Sequence, residues 1–92
     1  MKQTHGQKTR EKILTAGVKL WPDISLSKVA RACGMTHAAV LYHYPGDSLK
    51  GAIATYAVEQ RESRVIVQLI AEKHPAIEHL SHGERAAHFF ND

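Results

Sequence analysis

A chain of 92 residues, 43% of them apolar, has the size of one small domain, and a chain so short buries a limited share of its surface. Its single cysteine, Cys33, excludes an internal disulfide, and no run approaches the ~20 apolar residues that cross a bilayer, so a reducing cytoplasm and no membrane are expected. The net charge of +3 is uneven: residues 1–50 hold eight Lys and Arg against three acidic residues, and residues 51–92 hold four against six, so only the front half suits a polyanion.

The first residues, MKQTHGQKTREK, lack the apolar run of a signal peptide, and a chain starting at its own Met1 is expected. Residues 1–8 are polar and basic and read as a flexible arm. Thr9 is the expected N-cap of a first helix, whose apolar face is Ile13, Leu14, Gly17, Val18, Leu20 and Trp21 and which Pro22-Asp23 closes.

Ser25 is the next cap, and Leu26, Val29, Ala30 and Cys33 form one stripe of a short second helix. Gly34 can take the left-handed conformation that ends it. Thr36 can cap a third helix at once, with Met35 and Val40 spaced as a hydrophobic staple. Tyr44 precedes Pro45, so that helix is about two turns long. A fourth helix is expected from Asp47 or Ser48 to about Lys73. Its second half, VIVQLI, is apolar nearly all round; its β-branched residues leave a strand at 64–70 as the competing reading. Pro75 breaks the chain, Ala76, Ile77 and Leu80 can form one turn, and SHGE (81–84) matches a capping box for a last helix through Phe89 and Phe90. The expectation is an all-α chain divided into an arm (1–8), a three-helix head (9–46) and a helical segment (47–92).

Helix two, a glycine turn and helix three make a helix-turn-helix. Ala30 has to be small where the helices cross, and Val29, Met35 and Val40 have to be apolar to pack the pair on helix one. The leading end of such a third helix enters the major groove of DNA. Thr36, His37, Ala38 and Ala39 occupy that end: the alanines let the backbone approach, and an alanine methyl can pack on a thymine methyl. Tyr42, His43 and Tyr44 can bond phosphates and fix register. Ser25, Ser27 and Lys28 at the start of helix two, Lys50 beyond, and Lys2, Lys8 and Arg10 ahead complete the expected backbone contacts. Taken singly, His37 is also an ordinary exposed histidine, the tyrosines are also core aromatics, and the alanines are also good helix formers.

TREKILTAGVKLW followed by SLSKVARACGMTHAAVLYHYP resembles the DNA-binding domain of the TetR family of bacterial repressors, over about residues 9–50. The resemblance implies a homeodomain-like three-helix head, a linking fourth helix and a helical C-terminal part that dimerises. By position Thr36 takes the family's capping place, His37, Ala38 and Ala39 the base-facing places, and His43 and Tyr44 the terminal His-Phe. The family's phosphate-binding tyrosine falls on Leu41, with Tyr42 one step later. Gly46-Asp47-Ser48 stands where members carry Ser-Lys-Glu, leaving Lys50 as the substitute cation.

About 40 residues follow the head, too few for the family's usual effector domain, so the expectation is either that no small-molecule effector is bound or that the chain is a fragment. Val65, Ile66, Leu69, Ile70, Ile77, Leu80, Phe89 and Phe90 are the expected dimer surface, the competing reading being a core folded back on helix four. The histidines of the tail (His74, His79, His82, His88) do not reach a convergent ligand set, so neither metal nor cofactor is expected. No phosphate loop or triad is visible, and Cys33 sits on the packed face of helix two, so no enzyme is expected. The reading is a sequence-specific, nucleoid-associated transcription regulator: a homodimeric repressor on a palindromic operator in double-stranded DNA. A helical protein-interaction module or a DNA-architectural accessory factor is the alternative.

Overall fold

The computed structural model describes residues 4–90, apart from the side chains of His79, His82, Ala86, Phe89 and Phe90. The described residues form six α-helices and no strand: α1 (His5–Leu20), α2 (Leu26–Cys33), α3 (His37–His43), α4 (Ser48–Glu59), α5 (Ser63–Ala71) and α6 (His82–Phe90), with a 3-10 helix at Pro75–His79 between the last two. Residues 1–53 form one unit and 54–92 a second, with α4 running from one into the other.

In the first unit α1 begins one turn earlier than Thr9. Thr4 is its cap: the Thr4 hydroxyl accepts from the Gln7 backbone amide at 3.1 Å and the Gln7 side-chain Oε1 accepts from the Thr4 backbone amide at 2.8 Å. Thr9 lies inside the helix, its hydroxyl donating to the His5 carbonyl at 2.9 Å. Lys8 and Arg10 are therefore helical residues, so within the expected arm at 1–8 residues 5–8 belong to α1, and residues 1–3 lie outside the described residues.

α1 packs on α2, and α2 on α3. Ile13, Val29, Ala30, Val40 and Ile53 are buried to 1% exposure or less, with Val18, Trp21, Cys33 and Leu49 close behind. Full burial of one such aliphatic side chain contributes about 1.5–3 kcal/mol, so this cluster outweighs any single cap. Gly17 faces the core, and a methyl built on it would overlap the Ile53 side chain. The missing Cβ is what lets α4 approach α1.

The second unit corrects two expectations. The single helix expected to Lys73 is broken at 60–62. Arg61 takes a left-handed conformation (φ 56°), its amide bonds the Val58 carbonyl at 3.1 Å, and the Glu62 amide bonds Ala57 at 2.9 Å. That is the same six-residue closure that glycine usually provides. The Arg61 guanidinium adds a bond to the Val58 carbonyl and a 3.3 Å ion pair with Glu84. Lys73 (φ 55°) ends α5 likewise, its amide on Ile70 and that of His74 on Leu69.

The second correction concerns the expected dimer surface. Val65, Ile66 and Leu69 have no exposed area, and Ile77 and Leu80 are 6% and 4% exposed, within one chain. α5 packs against α6 and the 3-10 helix, so these side chains are spent on an internal core. Ile70 is half-buried; Phe89 and Phe90 fall outside the described side chains. The SHGE box forms: the Ser81 hydroxyl accepts from the Glu84 amide at 3.1 Å and the Glu84 carboxylate from the Ser81 amide at 3.3 Å.

Two stability measurements check this packing. Gly17→Ala is expected to lower unfolding free energy by about 1–3 kcal/mol through overpacking, against a helix-propensity gain of about 1 kcal/mol. In urea melts, Gly17→Ala should cost less on an Ile53→Val background than in the parent; a Gly17→Ala protein as stable as the parent refutes the close approach. Lys73→Gly should raise stability by up to about 1 kcal/mol by relieving a left-handed residue, and an unchanged or lower midpoint counts against that account.

Candidate nucleic-acid interface

The turn after α2 is built from three residues. Gly34 has φ 68°, its amide bonds the Arg31 carbonyl at 3.2 Å, and the Met35 amide reaches back to Ala30 at 2.9 Å. Thr36 then caps α3, its hydroxyl accepting from the Ala39 amide at 3.1 Å. Behind the turn Met35 is half-buried, and Ala30 and Val40 have almost no exposed area. α3 is thus held from one side only.

The other side of α3 is open. Thr36, His37 and Ala38 are exposed, and Ala39 is half-buried at the boundary. Ala38 and Tyr42 are four residues apart and share a face. Tyr42 is 82% exposed, its ring edge-on to that of His43 at 5.2 Å between centroids. His43 and Tyr44 are half-buried. Leu41 is 39% exposed, a large apolar side chain on an open helix, at the position where the resemblance would put a phosphate-binding tyrosine.

The flanking residues fall into two groups. Ser25 caps α2, its hydroxyl oxygen accepting from the Lys28 amide at 3.1 Å while its proton stays available to an acceptor such as a phosphate oxygen. Ser25, Leu41, Tyr44, Asp47 and Lys50 line one concavity of about 360 Å³. The structure therefore brings Ser25, Tyr44 and Lys50 to one concavity, which Asp47 also lines. Lys50 stands 5.6 Å from the centre of the Trp21 ring. Arg10 is near enough for its charge to act on Tyr44. Lys28 is ion-paired with Asp23 with both side chains largely exposed, an arrangement worth at most about 1 kcal/mol and easily exchanged. Ser27 is exposed beside it. Lys8 belongs elsewhere: it lines a groove between α1 and α2.

Among the described residues no three His, Cys, Asp or Glu side chains converge as metal ligands, and no helix is long and apolar enough to cross a membrane. No protein-family model, no curated protein and no solved structure matches the chain.

Two acids in the first unit are shifted. Burial pushes the Cys33 thiol up, with Lys12 opposing, and burial pushes the Tyr44 phenol up, with Arg10 opposing. In each case the folded protein holds the neutral form, and the unfolded chain releases its proton first. Stability should be flat at neutral pH, fall as pH rises past the unfolded thiol value of about 8.5, and fall again past about 10 where the unfolded phenol titrates. Urea midpoints between pH 7 and 11 test this: Cys33→Ala should remove the first decline and Tyr44→Phe the second, and profiles that keep both contradict the assignment.

Proposed function

We propose that the first unit binds double-stranded DNA as a helix-turn-helix, with the leading end of α3 in the major groove, and that the protein regulates transcription. The observation that carries the reading is the asymmetry of α3: Val40 is wholly buried, while Thr36, His37, Ala38 and Tyr42 stand open on the far side. A helix capped and anchored on one face, with small and hydrogen-bonding side chains on its free tip, suits contact with base edges. The net charge of the unit, eight Lys and Arg against three acidic residues in 1–53, supports a polyanionic partner.

In this reading Thr36, His37, Ala38 and Ala39 read bases. Ser25, Ser27, Lys28, Tyr42, His43, Tyr44, Lys50 and Arg10 hold phosphates, and Lys8 is left out of the contact set. The resemblance to TetR-like repressors adds a homodimer on a palindromic operator and repression by occupancy. We keep that arrangement with its pairing surface moved off Val65, Ile66, Leu69, Ile77 and Leu80, which one chain already covers. Asp47, lining the same concavity as Ser25 and Lys50, favours a second reading, an accessory factor with weak backbone grip and little sequence preference.

Selection from random duplex DNA at two salt concentrations, with sedimentation of the complex, separates these readings. A recovered motif, palindromic if two copies bind, supports the regulator. Ala38→Leu or His37→Ala should then change the preferred motif, each altered base contact being worth about 1–3 kcal/mol. Lys50→Ala should weaken all sites alike and flatten the dependence of log K on log salt by about 0.9. Binding without a motif moves the protein to the accessory reading, and absence of binding at low salt refutes the DNA reading.

A further inference from the structure

The groove between α1 and α2, about 510 Å³, is lined by no residue of α3 and has no part in the proposed contact with DNA. Its rim is cationic: Lys8, Lys12 and Lys19 stand along α1. Spacings of four and seven residues keep them on one stripe, and eleven residues at 1.5 Å each spread them over ~16 Å. Its apolar lining is half-buried Ala16 and Leu20 of α1 with buried Cys33 and exposed Ala32 of α2, Thr15 lies among the lysines, and Glu11 is the one acidic residue lining it. No ion pair holds Lys8, Lys12 or Lys19 among the described residues.

A straight row of three ammonium groups beside an apolar trough sets the chemistry of what can cover it. One small anion meets one lysine, not a row ~16 Å long. A phosphate backbone matches the charge but leaves the trough unfilled, because it has no apolar side chains to bury there. A protein segment with carboxylates on one stripe and apolar side chains on the next satisfies both, in the manner of an amphipathic helix laid in a groove.

We propose that the α1–α2 groove is a docking site for an acidic amphipathic segment of a partner protein. The docking is independent of the DNA reading and stands or falls separately from it. Its occupant lies along α1 with carboxylates over Lys8, Lys12 and Lys19 and apolar side chains against Leu20 and Ala32.

The test is a titration of the isotope-labelled full chain, followed amide by amide in NMR spectra. The probe is a helical peptide carrying three Glu at the spacing of Lys8, Lys12 and Lys19 with leucines alongside; the control replaces each Glu by Gln. The Glu peptide should shift the amides of residues 8–20 and 32–33 and leave α3 unmoved. Lys12→Glu combined with Lys19→Glu should weaken binding about tenfold or more, as expected for charges facing a complementary partner. Ala32→Leu, which fills the trough and keeps every charge, should weaken it as well. Equal binding of the Gln peptide, shifts scattered over lysines outside the groove, or a mixed-sequence duplex that moves the groove amides where the peptide does not, would each overturn the proposal.

Discussion

The carbonyls left over at the end of α2 have to be satisfied within two residues, because Thr36 is already the cap of the next helix. Gly34 makes this possible by turning left-handed, which costs glycine nothing and costs a side-chain-bearing residue about 1–2 kcal/mol. Its amide and that of Met35 then close on Arg31 and Ala30. The direction of α3 is set by that closure and by Val40 seated in the core. Every property of the open side of α3 follows from it: the exposure of His37, Ala38 and Tyr42 is a consequence of which way the helix leaves the turn. The apolar cluster on α1 holds the frame, and Gly17, by lacking a side chain, lets α4 complete it through Ile53.

The second unit solves the same closure problem twice without glycine. Arg61 and Lys73 both sit in the left-handed region, and at Arg61 the strain is offset by a guanidinium that bonds Val58 and pairs with Glu84. Breaking α4 from α5 there gives each a separate axis, so that α5 can bury Val65, Ile66 and Leu69 against its own neighbours. A straight helix would present one continuous stripe and leave the rest of an all-round apolar segment uncovered. Arg85 secures the far side of this small core, its guanidinium bonding the carbonyls of Leu80 and Ile77, while Ser63 and His88 join α5 to α6 at 2.7 Å.

What was legible in the residues was whatever local chemistry announces. Ser25, Gly34, Thr36 and the Ser81–Glu84 box stand where capping rules put them, and the stripe of Val29, Ala30 and Cys33 is the buried face of α2. The start of α1 was also written in the sequence, as Thr4 with Gln7 three residues on. Gly6 inside that box weakens the helical signal there, and Thr9, one turn on, carries the same capping chemistry as Thr4. The break at Arg61 was not legible, because neither glycine nor proline marks it; only the tertiary ion pair and the packing of α5 favour it. The same blindness turned an internal core into an expected dimer surface, since an apolar residue looks alike whether its own chain or another covers it. For the candidate site, the residues on α3 were readable from spacing, whereas the gathering of Ser25, Tyr44, Asp47 and Lys50 around one concavity depends on how α4 returns to α2.

The charges then decide how strong any grip on DNA can be. α3 carries no Lys or Arg, so the helix that would read bases brings neither an ammonium nor a guanidinium group of its own. Attraction has to come from the frame: Arg10 on α1, Lys28 on α2 and Lys50 on α4. Of these Lys28 already faces Asp23, and Lys50 shares its concavity with Asp47. Each phosphate neutralised releases about one counterion and steepens the salt dependence accordingly, and a frame of three such cations, one of them already ion-paired, releases few. Under the proposed DNA reading, one copy of the first unit would meet a groove without holding it at physiological salt. The proposed sequence reading would therefore call for a second anchor, either another copy on the next turn of the duplex or a partner that brings its own contacts, because two linked weak sites multiply where one does not suffice.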